Sequence, residues 1–165
     1  MEFKDLGLHS SLNKAIKDQN YKHPTDIQKK AIPIILEKKD VLGSAQTGTG
    51  KTAAFALPII HHLIHQNIDQ KKRKVKALVV TPTRELAIQI DENFKAYSKY
   101  TNIKNTVIYG GVSQGAQTKI LKNGVDILIA TPGRLLDLMG QGFISLSDIS
   151  YFVLDEADRM LDMGF

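Results

Sequence analysis

Cysteine is absent from the 165 residues, which excludes disulfides, thiolate metal ligands and thiol redox chemistry and suits a reducing compartment. No apolar run approaches the roughly 20 residues of a membrane-spanning helix, and the start, Met1-Glu2-Phe3-Lys4-Asp5, lacks the basic-then-apolar pattern of a signal peptide. Internal repeats and low-complexity tracts are missing as well. These absences predict a soluble, cytoplasmic chain without a membrane partner. What is present is ordinary: 42% hydrophobic and 24% charged residues suffice for one core in a domain of this length. Lys and Arg number 22 against 17 Asp and Glu, a formal charge of +5. That modest excess favours polyanions without naming one.

One stretch carries specific chemistry. Ala45-Gln46-Thr47-Gly48-Thr49-Gly50-Lys51-Thr52 stands between a short apolar run and a helix-like segment. Gly48 and Gly50 let the backbone curl so that successive N–H groups point inward, and the helix that follows adds positive potential there. Lys51 can reach the β- and γ-phosphates, and the Thr52 hydroxyl is placed to ligate Mg²⁺. The strict form of this loop begins with Gly, and Ala45, the next smallest residue, stands there instead. A nucleoside triphosphate with Mg²⁺ is the expected ligand.

Around this loop the chain alternates short apolar runs with longer helical patterns, the signature of βαβ units and a mainly parallel α/β sheet with helices on both faces. Strands are expected at Asp40 to Gly43, Ala77 to Val80, Thr106 to Tyr109, Asp126 to Ile129 and Tyr151 to Leu154. Helices are expected at Lys51 to His65, bent or shifted by Pro58, and at Arg84 to Lys99, Ser113 to Lys122 and Pro132 to Met139. Two earlier helices would be capped by Ser10 or Ser11, ending near Asn20, and by Thr25 or Asp26. The second would carry Ile27, Ala31, Ile34 and Ile35 on one face and bend near Pro33. The basic run Lys71-Lys72-Arg73-Lys74 reads as a solvated loop.

Every expected strand empties into a polar, Gly-rich or charged segment, and parallel strands place those segments on one edge, the usual ligand site of open α/β folds. The last strand ends in Asp155-Glu156: one carboxylate suits a metal, the other can orient or deprotonate water. Pro82-Thr83-Arg84-Glu85 and Thr131-Pro132-Gly133-Arg134 each follow a strand, open a helix, and offer N–H groups, a hydroxyl and an arginine, a combination that suits phosphate. Gly110-Gly111 lies between them in sequence. Such a set can follow a nucleic-acid backbone without reading bases; Tyr97 and Tyr100, late in a helix, read as packing residues rather than stacking platforms. His61, His62 and His65 lack an accompanying carboxylate or cysteine and read as a surface cluster rather than a metal site.

Taken together, the residues resemble the first RecA-like domain of a DEAD-box RNA helicase, across essentially the whole chain. Asp155-Glu156-Ala157-Asp158 matches the motif that names the family, Ala45 to Thr52 its motif I, Pro82 to Ala87 its motif Ia and Thr131 to Arg134 its motif Ib. Tyr21, Pro24, Thr25, Ile27 and Gln28 match the adenine-reading Q motif, with Phe3 at the spacing of its isolated upstream aromatic, while Asn20 stands where that motif usually has Gly.

The resemblance implies a RecA-like P-loop fold, with a Q-motif region at 1–30 and the P-loop core at 31–165. It implies a Gln28 amide that pairs with the adenine edge beside Tyr21, so that ATP is preferred to GTP. Segments 82–85, 110–111 and 131–134 would hold the sugar-phosphate strand of RNA. The family's pattern continues beyond the position of Phe165 to a second RecA-like domain that supplies arginine fingers. An arginine finger contributes on the order of 10³ to 10⁵ in rate, so these residues alone are expected to hydrolyse ATP hardly at all and to unwind nothing. A nucleotide-gated RNA clamp within a larger ribonucleoprotein is the alternative. A monomer is expected, with weak self-association through an exposed sheet edge.

Overall fold

The structure, a computed structural model, describes residues 1–39 and 50–156. The strand expected at Asp40 to Gly43 lies outside them. Two compact units emerge, Met1–Ile68 with Asn93–Asn102, and Asp69–Glu92 with Ile103–Phe165.

The first unit opens with a 3₁₀ turn at Phe3–Leu6, followed by helices α1 (Ser10–Asp18), α2 (Asp26–Leu36) and α3 (Lys51–His65). Helix α1 buries Leu12, Ala15 and Ile16, the spacing of one helical face. Its cap is neither Ser10 nor Ser11. His9 takes that place, its Nδ1 accepting the Ser11 N–H at 3.1 Å. The helix stops at Asp18, and Asn20 sits at φ 59, the left-handed conformation that Asn adopts more readily than most residues.

Helix α2 begins with a reciprocal capping box: Thr25 Oγ1 accepts the Gln28 N–H at 3.4 Å, and Gln28 Oε1 accepts the Thr25 N–H at 3.0 Å. Its buried face carries Gln28, Ala31 and Ile32. Ile34, expected on that face, is exposed. Pro33 and Pro58 lie inside α2 and α3, which run on past them.

Helix α3 is buried at every position from Ala53 to Ile60 and again at His62 and Leu63, so it is apolar around most of its circumference, as a core helix must be. Of the three histidines at its end, only His65 is exposed. The ring of buried His62 places Nε2 2.9 Å from the Ile35 carbonyl. His61 is half-buried, its Nδ1 accepts the His9 N–H at 3.0 Å, and its ring lies 4.6 Å from that of His65. Among the described residues no group of three or more His, Cys, Asp or Glu is arranged to hold a metal ion, and no helix is long and apolar enough to cross a membrane.

In the second unit four strands, β1 (Ala77–Val80), β2 (Asn105–Ile108), β3 (Ile127–Ala130) and β4 (Tyr151–Leu154), pair in parallel in the order β2-β3-β1-β4. Helices α5 (Gly115–Asn123) and α6 (Pro132–Gly140) belong to this unit, and α4 (Arg84–Tyr97) begins in it. Strands β2 and β3 are offset by one residue from expectation. Central strands β1 and β3 are buried at all four positions, whereas β2 and β4 alternate; among the described strands β1 and β3 are the two flanked on both sides. Val75, Leu78, Val80, Ile108, Leu128, Ala130, Leu135 and Leu138 form its core. Strand β4 ends the described sheet, with Phe152 and Leu154 exposed.

The basic run is not uniformly solvated. Lys71, Lys72 and Lys74 are exposed, but Arg73 is paired with Asp126, and both side chains are almost entirely buried. Asp126 Oδ2 also accepts the Lys104 N–H at 2.8 Å, while Asp126 Oδ1 and Arg73 Nε have no hydrogen-bond partner among the described residues. Because one oxygen stays unsolvated, burial outweighs the Lys104 amide and Arg73 and holds the Asp126 carboxyl above its usual range.

Burial first, then the charges of His65, His62 and His9, push His61 down from 6.5 to about 4. Its proton is therefore bound more tightly in the unfolded chain than in the folded one. The neutral ring's contribution to stability is present above pH 6.5 and lost as pH falls towards 4. Urea denaturation from pH 7 to pH 4 should show the parent losing stability more steeply than His61→Asn, which keeps an acceptor for the His9 N–H; parallel curves would contradict this account.

Candidate functional site

In the first unit the Q-motif residues gather around two contacts. Phe3 is buried and stacks with Tyr21 at a centroid distance of 6.3 Å. The Tyr21 and Tyr97 hydroxyls are 3.2 Å apart, and burial together with this bond holds the Tyr97 phenol well above its ordinary range. Tyr97 is the packing residue it was expected to be. Tyr100 is not: it is exposed and donates to Asp18, a carboxylate also paired with Lys99 at 2.8 Å. Tyr21 remains 39% exposed, so its ring, steadied on both sides, still offers surface to another planar group.

The second contact joins the capping box of α2 to Gly50, the last glycine of the loop expected from the sequence to bind phosphate. Gln28 is 3% exposed and its Nε2 donates to the Gly50 carbonyl at 3.1 Å. Gly50 is the N-cap of α3 at φ 82, and a Cβ built on it would meet Gln28 Nε2 at 2.3 Å and Thr25 side-chain atoms at 3.1 Å. Only glycine permits this approach. With Oε1 committed to Thr25 and one N–H to Gly50, the amide has one further donor and one further acceptor not taken up among the described residues. Among the described residues no side chain caps the α3 N-terminus, where Lys51 and Thr52 form the first turn. Ala45, Gln46, Thr47, Gly48 and Thr49 lie outside the described residues.

The second unit places its candidate segments along one sheet edge. The ladder continues one residue past the strands, with Thr81 N–H bonded to the Ala130 carbonyl, Thr131 to Ile108 and Asp155 to Val80 at 3.1, 3.1 and 2.8 Å. Thr81, Thr131 and Asp155 therefore share that edge by backbone geometry alone. The Thr81 hydroxyl donates to Asp155 Oδ2 at 3.4 Å, with both residues buried. Glu156 adopts φ 56, a left-handed conformation that is sparsely populated outside glycine and concentrated at functional positions. Ala157 and Asp158 lie outside the described residues.

Further along, Pro82 is buried, and Thr83 Oγ1 accepts the Leu86 N–H at 3.3 Å to start α4, leaving Arg84 and Glu85 exposed. The Arg84 guanidinium lies 4.9 Å over the Tyr109 ring. Pro132 begins α6, and the Thr131 hydroxyl makes no cap bond. A Cβ added at Gly110, Gly111 or Gly133 would meet nothing within 4 Å, so the backbone of both segments faces open space. Arg134 is held by Gln117 and by the Val112 carbonyl.

Sequence reasoning missed Thr81 and Gln117. Helix α5 turns Gln117 and Thr118 inward and leaves Ile120 exposed, the reverse of an apolar stripe. An apolar-stripe reading of α5 would turn Ile120 inward instead, so local pattern gave no signal for Gln117.

The profile of the DEAD/DEAH box helicase family matches residues 25–165. Over the whole chain there is 48% identity to the ATP-dependent RNA helicase CshA of Limosilactobacillus reuteri, covering 32% of that protein. Identity is 46% to the ATP-dependent RNA helicase RhlB of Actinobacillus succinogenes and 45% to that of Shewanella sp. strain MR-4, each over 99% of this chain and 40% and 38% of the relative. The chain thus spans about a third to two-fifths of the length of these curated relatives.

Gly7 and Gly50 are both left-handed, at φ 80 and φ 82, but a Cβ at Gly7 would meet nothing within 4 Å. Gly7→Ala should cost about 1 kcal/mol through backbone strain alone. Gly50→Ala should cost clearly more, because Gln28 must also move. Equal losses in urea denaturation would show that the Gln28 contact is not maintained.

Proposed function

Because the chain belongs to the DEAD/DEAH box helicase family, we propose that it is the nucleotide-binding half of an ATP-dependent RNA helicase. The observation that carries this reading is the Gln28 to Gly50 hydrogen bond, which ties the adenine-reading segment to the loop that precedes the first turn of α3.

In this reading Gln28 offers its remaining donor and acceptor to the adenine edge, and exposed Tyr21, backed by Phe3, packs against the base. Thr25 fixes the Gln28 amide. The loop Ala45 to Gly50 and the α3 N-terminus receive the phosphates, with Lys51 reaching the β- and γ-groups. Thr52 and Asp155 supply hard oxygen donors of the kind Mg²⁺ takes, a chemistry that fits their hydroxyl and carboxylate. Bound Mg²⁺ would supply neutralisation of phosphate charge. Glu156 orients and deprotonates the attacking water, and Thr81 holds the Asp155 carboxylate in place.

RNA lies along the open backbone of Gly110, Gly111 and Gly133, with Thr83, Arg84 and Thr131 presenting a hydroxyl, a guanidinium and a hydroxyl to the sugar-phosphate strand. Recognition through the backbone carries little base specificity. In the intact protein, ATP and RNA binding would be completed by a second RecA-like domain, and hydrolysis would be coupled to local duplex separation.

The 165 residues alone should therefore show no RNA-stimulated ATP turnover above background, since an arginine finger contributes on the order of 10³ to 10⁵ in rate. A phosphate-release assay with oligouridylate and Mg²⁺ checks this. Robust RNA-stimulated turnover from this chain would contradict the proposal.

A further inference from the structure

Arg134 stands in a segment assigned above to RNA, yet its side chain is only 11% exposed. Its guanidinium is taken up by the protein. Nη1 donates to Gln117 Oε1 at 3.0 Å, Nη2 donates to the Val112 carbonyl at 2.8 Å, and Nε lies 4.0 Å from Asp137 Oδ2. Gln117 is itself buried, and its other end, Nε2, donates to the Tyr109 carbonyl at 3.1 Å.

Tyr109 and Val112 flank Gly110 and Gly111, so the two ends of this glycine turn are gripped by the two ends of one side-chain pair. A second clip reinforces the arrangement. Gln114 and Gln141 exchange hydrogen bonds of 2.9 and 3.1 Å, and Gln141 also donates to Asp137 at 2.9 Å. Both clips join the start of α5 to α6. Consecutive glycines have the largest conformational freedom to lose on ordering, and this turn has no side chains of its own with which to hold itself.

We propose that Gln117 and Arg134 form a two-part brace that fixes Gly110–Val112 for RNA backbone recognition, making Arg134 a positioning residue rather than a phosphate ligand. The role in RNA recognition rests on the function proposed above, whereas the brace itself can be tested without RNA. The geometry depends on Arg134 as a fork. One arm reaches Gln117 and the other reaches a carbonyl, and lysine, whose donors all sit on one nitrogen, lacks the planar fork that spans both.

The test is hydrogen–deuterium exchange of Gly110, Gly111 and Val112 in the 165-residue chain, with oligouridylate binding by fluorescence anisotropy at several salt concentrations. The variants are Gln117→Ala, Gln117→Glu, Arg134→Lys and Arg134→Ala. Arg134→Lys keeps the charge but loses the fork. It should speed exchange at the three amides about tenfold, the effect of losing one buried hydrogen bond. Oligouridylate affinity should fall by a similar factor while the slope against salt stays that of the parent. Gln117→Ala should do the same, and Gln117→Glu, which keeps the Arg134 acceptor, should recover part of the protection.

Parent-like exchange and affinity in Arg134→Lys would overturn the brace. So would a salt slope reduced by about one in Arg134→Ala, the mark of a lost phosphate contact. If the parent does not bind oligouridylate, the RNA reading of this turn falls and the exchange data still decide the brace. Should Gln117→Ala unfold, as faster exchange in β1 and β3 would reveal, Gln117→Glu and Arg134→Lys carry the decision.

Discussion

Parallel pairing in a single register is the constraint on which the second unit depends. Val80, Ala130, Ile108 and Leu154 close their strands at matching ladder positions, so Thr81, Tyr109, Thr131 and Asp155 must emerge side by side. Each strand is only four residues long. A slip of one residue would turn every side chain to the opposite face and bury the wrong set. The cost of such a slip in β2 and β4, where more and less buried positions alternate, is what keeps the polar edge aligned. The chemistry at that edge is thus held by the core beneath it.

In the first unit an equivalent part is played by one amide. Gln28 closes the capping box that starts α2 and holds the carbonyl of the residue that starts α3. One side chain therefore fixes the ends of two helices, and the left-handed Gly50 leaves room for it. The same economy appears in Gln117, which bridges a strand-end carbonyl and a guanidinium. Buried amides suit this work because each both donates and accepts, and each becomes costly if either end is left open.

Much of this was legible in the sequence. The alternation of apolar runs with helical patterns gave the parallel sheet, Ala77–Val80 and Tyr151–Leu154 fell at their observed bounds, and Asn20 took the left-handed conformation its side chain tolerates. Misreadings came where a long-range partner overrides local pattern. Arg73, in a basic run, is buried because Asp126 lies at the start of β3. His9 caps α1 in place of a serine, while its own N–H is taken by His61 from a helix far along the chain. Gln117 was invisible because its partners, Tyr109 and Arg134, are distant in sequence and one of them is a backbone carbonyl.

The central claim is that the first unit reads adenine through Gln28. Calorimetric titration of the chain with ADP and with GDP in the presence of Mg²⁺, in the parent and in Gln28→Ala, tests it most directly. The account predicts that ADP binds in preference to GDP and that the substitution removes the preference. Equal binding of the two nucleotides by the parent, or a preference that survives in Gln28→Ala, would contradict it.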